Sequence, residues 1–169
     1  MAGRDGVRIG VDVGRVRVGV AASDPDGFLA TPAVTLRHDP RTMRDLDELA
    51  VLVRDRRAVE VVVGLPRTLD GREGPAVRMA RSYAAALAER VAPVPVRLVD
   101  ERLTTVSAER VLGERGLRGR ARRAVVDQEA AVQILQADLD ARRAAGGPAA
   151  ASGPAAAEGP RGRGPAEPA

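Results

Sequence analysis

Three places in the chain carry acids in positions suited to chemistry. They are Asp12, inside the β-rich run from Val7 to Asp24, the pair Asp100-Glu101 closing an apolar run, and Asp127, expected in the first turn of the last helix. Carboxylates brought together repel and raise one another's pKa unless a divalent cation neutralises them. Oxygen-only donors suit Mg²⁺ or Mn²⁺, which bind through a few carboxylates and keep waters for substrate phosphates. Two such ions roughly 4 Å apart activate a water and stabilise the leaving oxygen of a phosphodiester. That chemistry needs no histidine, and the single one, His38, falls in an expected loop with a structural role as its default reading.

Each acid also has an ordinary explanation. Asp127 at a helix N-terminus would complement the macrodipole. Asp100 or Glu101 would pair with Arg97 or Arg102, and Asp12 with Arg15 or Arg17. Because side chains alternate along a strand, only one of Asp100 and Glu101 should face the Asp12 side. An arginine partner for Asp12 gives no reason for the glycines at both ends of its hairpin, Gly14 and Gly19.

The elements that must position these acids follow from periodicity. Val7 to about Val13 and about Arg17 to Ser23 read as two strands around Gly14-Arg15. The turn signal Asp24-Pro25-Asp26-Gly27 leads into a third strand, Phe28 to Leu36, in which Pro32 points to a sheet edge. Leu46, Leu49, Ala50 and Val53 then share one helical face. Val59 to Gly64 and Val96 to Val99 read as buried strands, separated by a helix whose stripe is Val77, Ala80, Ala84, Leu87, Ala88 and Val91. A helix from Thr104 or Thr105 to Gly116 and a last one from Val125 to about Arg143, with Ala131, Ile134, Leu135 and Leu139 inward, complete the pattern. The expected fold is α/β: a five-stranded mixed sheet, a three-strand antiparallel meander plus two strands parallel to the first, flanked by helices. Residues 1–144 form one domain, and the Ala, Gly and Pro-rich residues 145–169 form an expected disordered tail.

Composition narrows the partners. All 27 basic residues are arginine, the formal net charge is +4 and the sequence pI is about 10.9, a balance that permits an anionic partner such as nucleic acid. The alanine, glycine and proline excess beside it looks first like a GC-rich coding bias, so single arginines are weak signals. Phe28 and Tyr83 are the only aromatics other than histidine, which disfavours surfaces that stack bases. No window approaches the roughly 18 apolar residues of a membrane span, and the N-terminus leaves no room for a signal peptide, so we expect a cytoplasmic protein with no membrane partner. The absence of cysteine excludes disulfides, thiolate zinc sites and cysteine nucleophiles. We expect a monomer or weak homodimer.

Four motifs in order resemble the YqgF/RuvX-like family of the RNase H superfamily, which is related to Holliday-junction resolvases and described as acting on pre-16S rRNA. They are GVDVGRVRVGVAASDPDG with Asp12, Gly14, Arg17, Gly19 and Asp24; VVVGLPRTLDGREGP with Gly64, Pro66, Asp70 and Gly71; DERLTT from Asp100 to Thr105; and DQEAAVQILQADLD from Asp127. Val13 and Val16 depart from the pattern, standing where an aromatic and a basic residue are common in the family. The resemblance covers roughly residues 7 to 142. It implies an RNase H-like sheet, Mg²⁺ or Mn²⁺ dependence, and Asp12, Glu101 and Asp127 as the catalytic and metal-binding acids, with Asp100 as the alternative to Glu101. It further implies a nuclease that processes a ribosomal RNA precursor.

Arg115 to Arg123, RGLRGRARR, carries five arginines and no acid, and reads as a basic loop just before Asp127. Arg118, Arg120, Arg122 and Arg123, with Arg17 and Arg102, are the expected contacts to substrate phosphates. Arg102 has a competing role, locking DERLTT onto the loop around Asp70. The leading reading is a metal-dependent nuclease acting on pre-16S rRNA. Cleavage of branched DNA and a non-catalytic RNA-binding module are its alternatives. An actin-like or sugar-kinase hairpin would need two such domains to enclose ATP, more than this length provides.

Overall fold

The computed structural model describes residues 6–66, 70–101 and 120–146, with the side chains of 120–123 outside the description. The strands are β1 (Arg8–Val13), β2 (Arg17–Ser23), β3 (Ala30–Arg37), β4 (Glu60–Leu65) and β5 (Val96–Asp100). The helices are α1 (Arg44–Asp55), α2 (Pro75–Val91) and α3 (Arg120–Ala145). They form one five-stranded sheet in the order β3-β2-β1-β4-β5. β1 pairs antiparallel with β2, β2 antiparallel with β3, and β4 runs parallel to both β1 and β5. This is the expected meander with two parallel strands. The expected helix from Thr104 or Thr105 to Gly116 and the tail from Gly147 lie outside the described residues.

Alternation along the strands sorts the core into two layers. Ile9, Val11, Val13, Val18, Val20, Val61 and Val63 face one side, where Leu46, Leu49 and Val53 of α1 and Tyr83, Ala84, Leu87 and Val91 of α2 cover them. Ala21 and Val62 face the other side, beneath Ala131, Leu135 and Leu139 of α3. Each fully buried Val, Leu or Ile contributes about 1.5–3 kcal/mol, so both layers hold the central strand. Pro32 lies on the edge strand β3, and the register slips there: Val20 pairs with Val34 but Ala21 with Pro32. A residue without an N–H is tolerated at such an edge bulge.

Helix α3 begins earlier than its apolar stripe suggests. The chain is helical from Arg120, so Arg120, Arg122 and Arg123 belong to a helix and not to a basic loop. Arginine and alanine are good helix formers, and no glycine or proline interrupts the run after Gly119. Asp127 is consequently the eighth residue of α3, beyond the first turn, and macrodipole complementarity does not explain it.

Candidate nucleic-acid cleavage site

Asp12 lies on β1, the middle strand, and is 3% exposed. Its neighbours Val11 and Val13 face α1 and α2, so Asp12 faces α3. Directly across the antiparallel pair is Gly19, and the parallel register that matches Val11 with Val63 brings Gly64 level with Asp12 on the other flank. Two glycines beside one buried acid leave the sheet bare at that point, and the structure fills the gaps specifically.

Over Gly19 lies the backbone of Asp127: a Cβ there would stand 1.9 Å from the Asp127 carbonyl oxygen. Over Gly64 lies the side chain of Glu101, whose Oε1 would be 2.9 Å from a Cβ, beside Ile134 Cδ1 at 2.6 Å. Each flanking glycine thus touches one of the other two acidic residues. Gly10 continues the pattern, since a Cβ there would meet Leu135 Cβ at 2.6 Å. Glycines in β1, β2 and β4 are what let α3 settle onto the sheet.

Alternation on β5 separates the two candidate acids. Val99 packs in the α3 layer and Leu98 in the opposite one, so Asp100 follows Leu98, whereas Glu101 sits against Gly64 on the side of Asp12. Glu101 is 8% exposed. Arg97 is committed elsewhere: its Nε donates to Glu60 Oε1 at 3.0 Å and its Nη2 to Asp138 Oδ1 at 2.6 Å. Arg142 bridges the same two acids.

The Asp127 carboxylate accepts from Arg17 Nε at 2.6 Å across 110 residues of sequence. Arg17 is therefore engaged by Asp127, a partner that sequence reasoning did not offer for it. Among the described residues, no three acidic or imidazole side chains already stand close enough to hold a metal ion. The donor set nonetheless fits a hard divalent cation, being all oxygen, largely buried, and set around two missing Cβ positions. Of the expected phosphate contacts, Arg102 and Arg118 lie outside the described residues, and Arg120, Arg122 and Arg123 are placed only by the helical backbone one to two turns before Asp127.

The loop after β4 returns through Gly71, whose φ of +69° is the left-handed conformation expected of an Asp-Gly turn. A cavity beside it is lined by Leu65, Pro66, Arg72, Glu73, Val77 and Arg81. Arg81 and Arg78 both bond to Glu73, which staples this loop to α2. His38 stands on the other face of the sheet, its Nδ1 2.9 Å from Oδ2 of buried Asp45 and its ring 5.5 Å from that of Tyr83. Sequence reasoning left that cluster unread, because Tyr83 follows His38 by 45 positions and the three residues carry no motif.

Comparison with known proteins shows the family and the fold. Residues 6–141 match the family model described as RuvX, Holliday junction resolvase. A "Putative pre-16S rRNA nuclease" of Frankia casuarinae is 68% identical over 142 residues, covering 84% of this chain and 70% of the relative. Proteins of the same name from Mycobacterium sp. (strain KMS) and Nocardioides sp. are 62% and 58% identical. The first match covers 83% of each chain, and the second 85% of this chain and 93% of the relative. Among solved structures, Thermus thermophilus RuvC in complex with Holliday junction substrate aligns with a TM-score of 0.52 at 18% identity, over 80% of this chain and 94% of that one. At that identity the likeness is one of fold, and the fold is RNase H-like. The family match runs from the start of β1 through most of α3 and so spans all three acids: this chain belongs to the RuvX family.

Proposed function

We propose that this protein is a metal-dependent phosphodiester hydrolase that processes the 5′ end of pre-16S ribosomal RNA during ribosome biogenesis. The observation that carries this reading is the placement of Asp12 between two glycines, one in contact with Asp127 and the other with Glu101, in a chain whose relatives bear the pre-16S rRNA nuclease name. Asp12, Glu101 and Asp127 would hold Mg²⁺ or Mn²⁺ in a two-metal-type arrangement. Such ions, when bound, supply an activated water and stabilise the leaving oxygen.

The chain's own residues supply position and charge. β1 fixes Asp12 by burial on a central strand, and the close contact of α3 with Gly19 sets the height of Asp127 above the sheet. Glu101 lies over Gly64 at the end of β5, where the strand gives way to the segment that follows. Arginines at the start of α3 neutralise the RNA backbone approaching this end of the sheet. We assign the reaction to the cytoplasm, with residues 1–144 as the catalytic domain acting as a monomer or weak homodimer. No helix among the described residues is long and apolar enough to cross a membrane.

The family description names Holliday junctions, so branched DNA is the second reading. A cleavage assay in Mg²⁺ and in Mn²⁺ separates the two, comparing single-stranded RNA, a pre-16S rRNA fragment and a four-way DNA junction, with Asp12→Asn as control. The expected result is cleavage of the ribosomal precursor by the wild type and none by the variant. Preferential cutting of the junction would move the assignment to DNA, and a wild type inert on all three would remove the nuclease reading.

A further inference from the structure

Arg17 and Asp127 meet at 2.6 Å through Arg17 Nε alone, with their side chains 28% and 21% exposed. Among the described residues, Arg17 Nη1 and Nη2 donate no hydrogen bond. Two further carboxylates stand close by, Asp12 across from Gly19 and Glu101 over Gly64. Of the acids on this face, Asp127 is held by a cation that the chain provides itself. A divalent ion bound by Asp127 needs the same carboxylate lone pairs that now accept from Arg17. The two cations therefore compete for one group.

We infer that Arg17 is an internal counter-cation, a latch that holds Asp127 in the metal-free protein and gives it up when a divalent cation binds. The inference rests on the proposed metal site. It assigns Arg17 a positioning role before substrate arrives and a different one after: once released, the guanidinium stands at the end of the β1-β2 hairpin with its full donor fork open to an anion, the substrate phosphate. Metal loading and phosphate capture are thereby coupled through one side chain. Arg15, on the same hairpin and exposed, carries the same charge and is the natural control.

The test is calorimetric titration of Mn²⁺ alone into the full chain at low ionic strength, for the wild type, Arg17→Gln and Arg15→Gln. Removing a partly exposed ion pair frees Asp127, so Arg17→Gln should bind Mn²⁺ about two- to fivefold more tightly than the wild type. Arg15→Gln should match the wild type, and added salt should narrow the gap by weakening the pair. Should Arg17→Gln fail to fold, Arg17→Met keeps the packing of the stem and makes the same prediction. Equal or weaker Mn²⁺ binding by the Arg17 variants, or an equal gain in Arg15→Gln, would overturn the latch. A wild type that binds no Mn²⁺ overturns the latch together with the metal site. A wild type that binds Mn²⁺ with the predicted Arg17 effect, yet cleaves no nucleic acid, supports the latch and removes only the nuclease reading.

Discussion

Replacing Gly19 with alanine puts a methyl group where the backbone of α3 already lies. The added Cβ would stand 1.9 Å from the Asp127 carbonyl oxygen and 2.4 Å from its carbonyl carbon. An ordinary carbon-oxygen contact is about 3.3–3.6 Å, so strand and helix must separate by roughly 1.5 Å at this point. Overpacking of a core costs about 1–3 kcal/mol, and the top of that range applies because the obstacle is main chain on both sides. For a domain of this size about 3 kcal/mol lowers the melting temperature by about 10 °C. The same displacement carries Asp127 away from Asp12, and a misplacement of about 1 Å costs on the order of 10²-fold in rate. Thermal melts and Mn²⁺-dependent cleavage, assayed well below the variant's melting temperature, measure the two effects separately. Gly146→Ala serves as control, since its Cβ would meet nothing nearer than 3.5 Å. A Gly19→Ala protein with wild-type melting temperature and rate would refute the claim that close helix-strand contact positions Asp127.

Tyr83 is 4% exposed and among the described residues its hydroxyl makes no hydrogen bond, while burial first, and then the nearby Asp45 carboxylate, push its pKa well above the usual phenol value. Tyr83→Phe should therefore leave stability unchanged or raise it by up to about 1 kcal/mol in urea denaturation; a loss of that size would mean the hydroxyl is satisfied. Asp24 accepts from the backbone N–H groups of Leu29 and Phe28, which hold its pKa below the ordinary 3.8. A carboxylate with a depressed folded-state pKa contributes stability above its unfolded value that is lost as pH falls through the folded one. The melting temperature of the wild type should accordingly fall more steeply below about pH 4 than that of Asp24→Asn, and parallel acid limbs in the two proteins would count against the turn as a source of acid sensitivity.

The sheet was legible because its signals are local. β-branched runs gave the strands, the turn residues gave the hairpin, and Pro32 marked the edge where the structure places β3. The inward stripe of α3 was legible too, but its start was not: apolar periodicity shows where a helix packs, whereas residues 120–124 extend it by propensity beyond the start the stripe implied. Glu101 could be preferred to Asp100 from the family resemblance, and strand alternation together with the Gly64 contact now gives a physical reason. Gly64 stands out in the sequence only as part of the family motif and Gly10 not at all, although glycine within a strand often marks the close approach of another element. The pairing of Arg17 with Asp127 had no sequence signal. It depends on how far α3 descends onto Gly19, a tertiary distance between residues 110 positions apart.

The central claim, that Asp12, Glu101 and Asp127 act together as one metal site, is tested most directly by titrating Mn²⁺ into the wild type and into Asp12→Asn, Glu101→Gln and Asp127→Asn, each first shown to melt as the wild type does. The account predicts saturable binding by the wild type and strongly weakened binding by all three variants. Undiminished Mn²⁺ binding by Asp12→Asn, the acid at the centre of the arrangement, would contradict it.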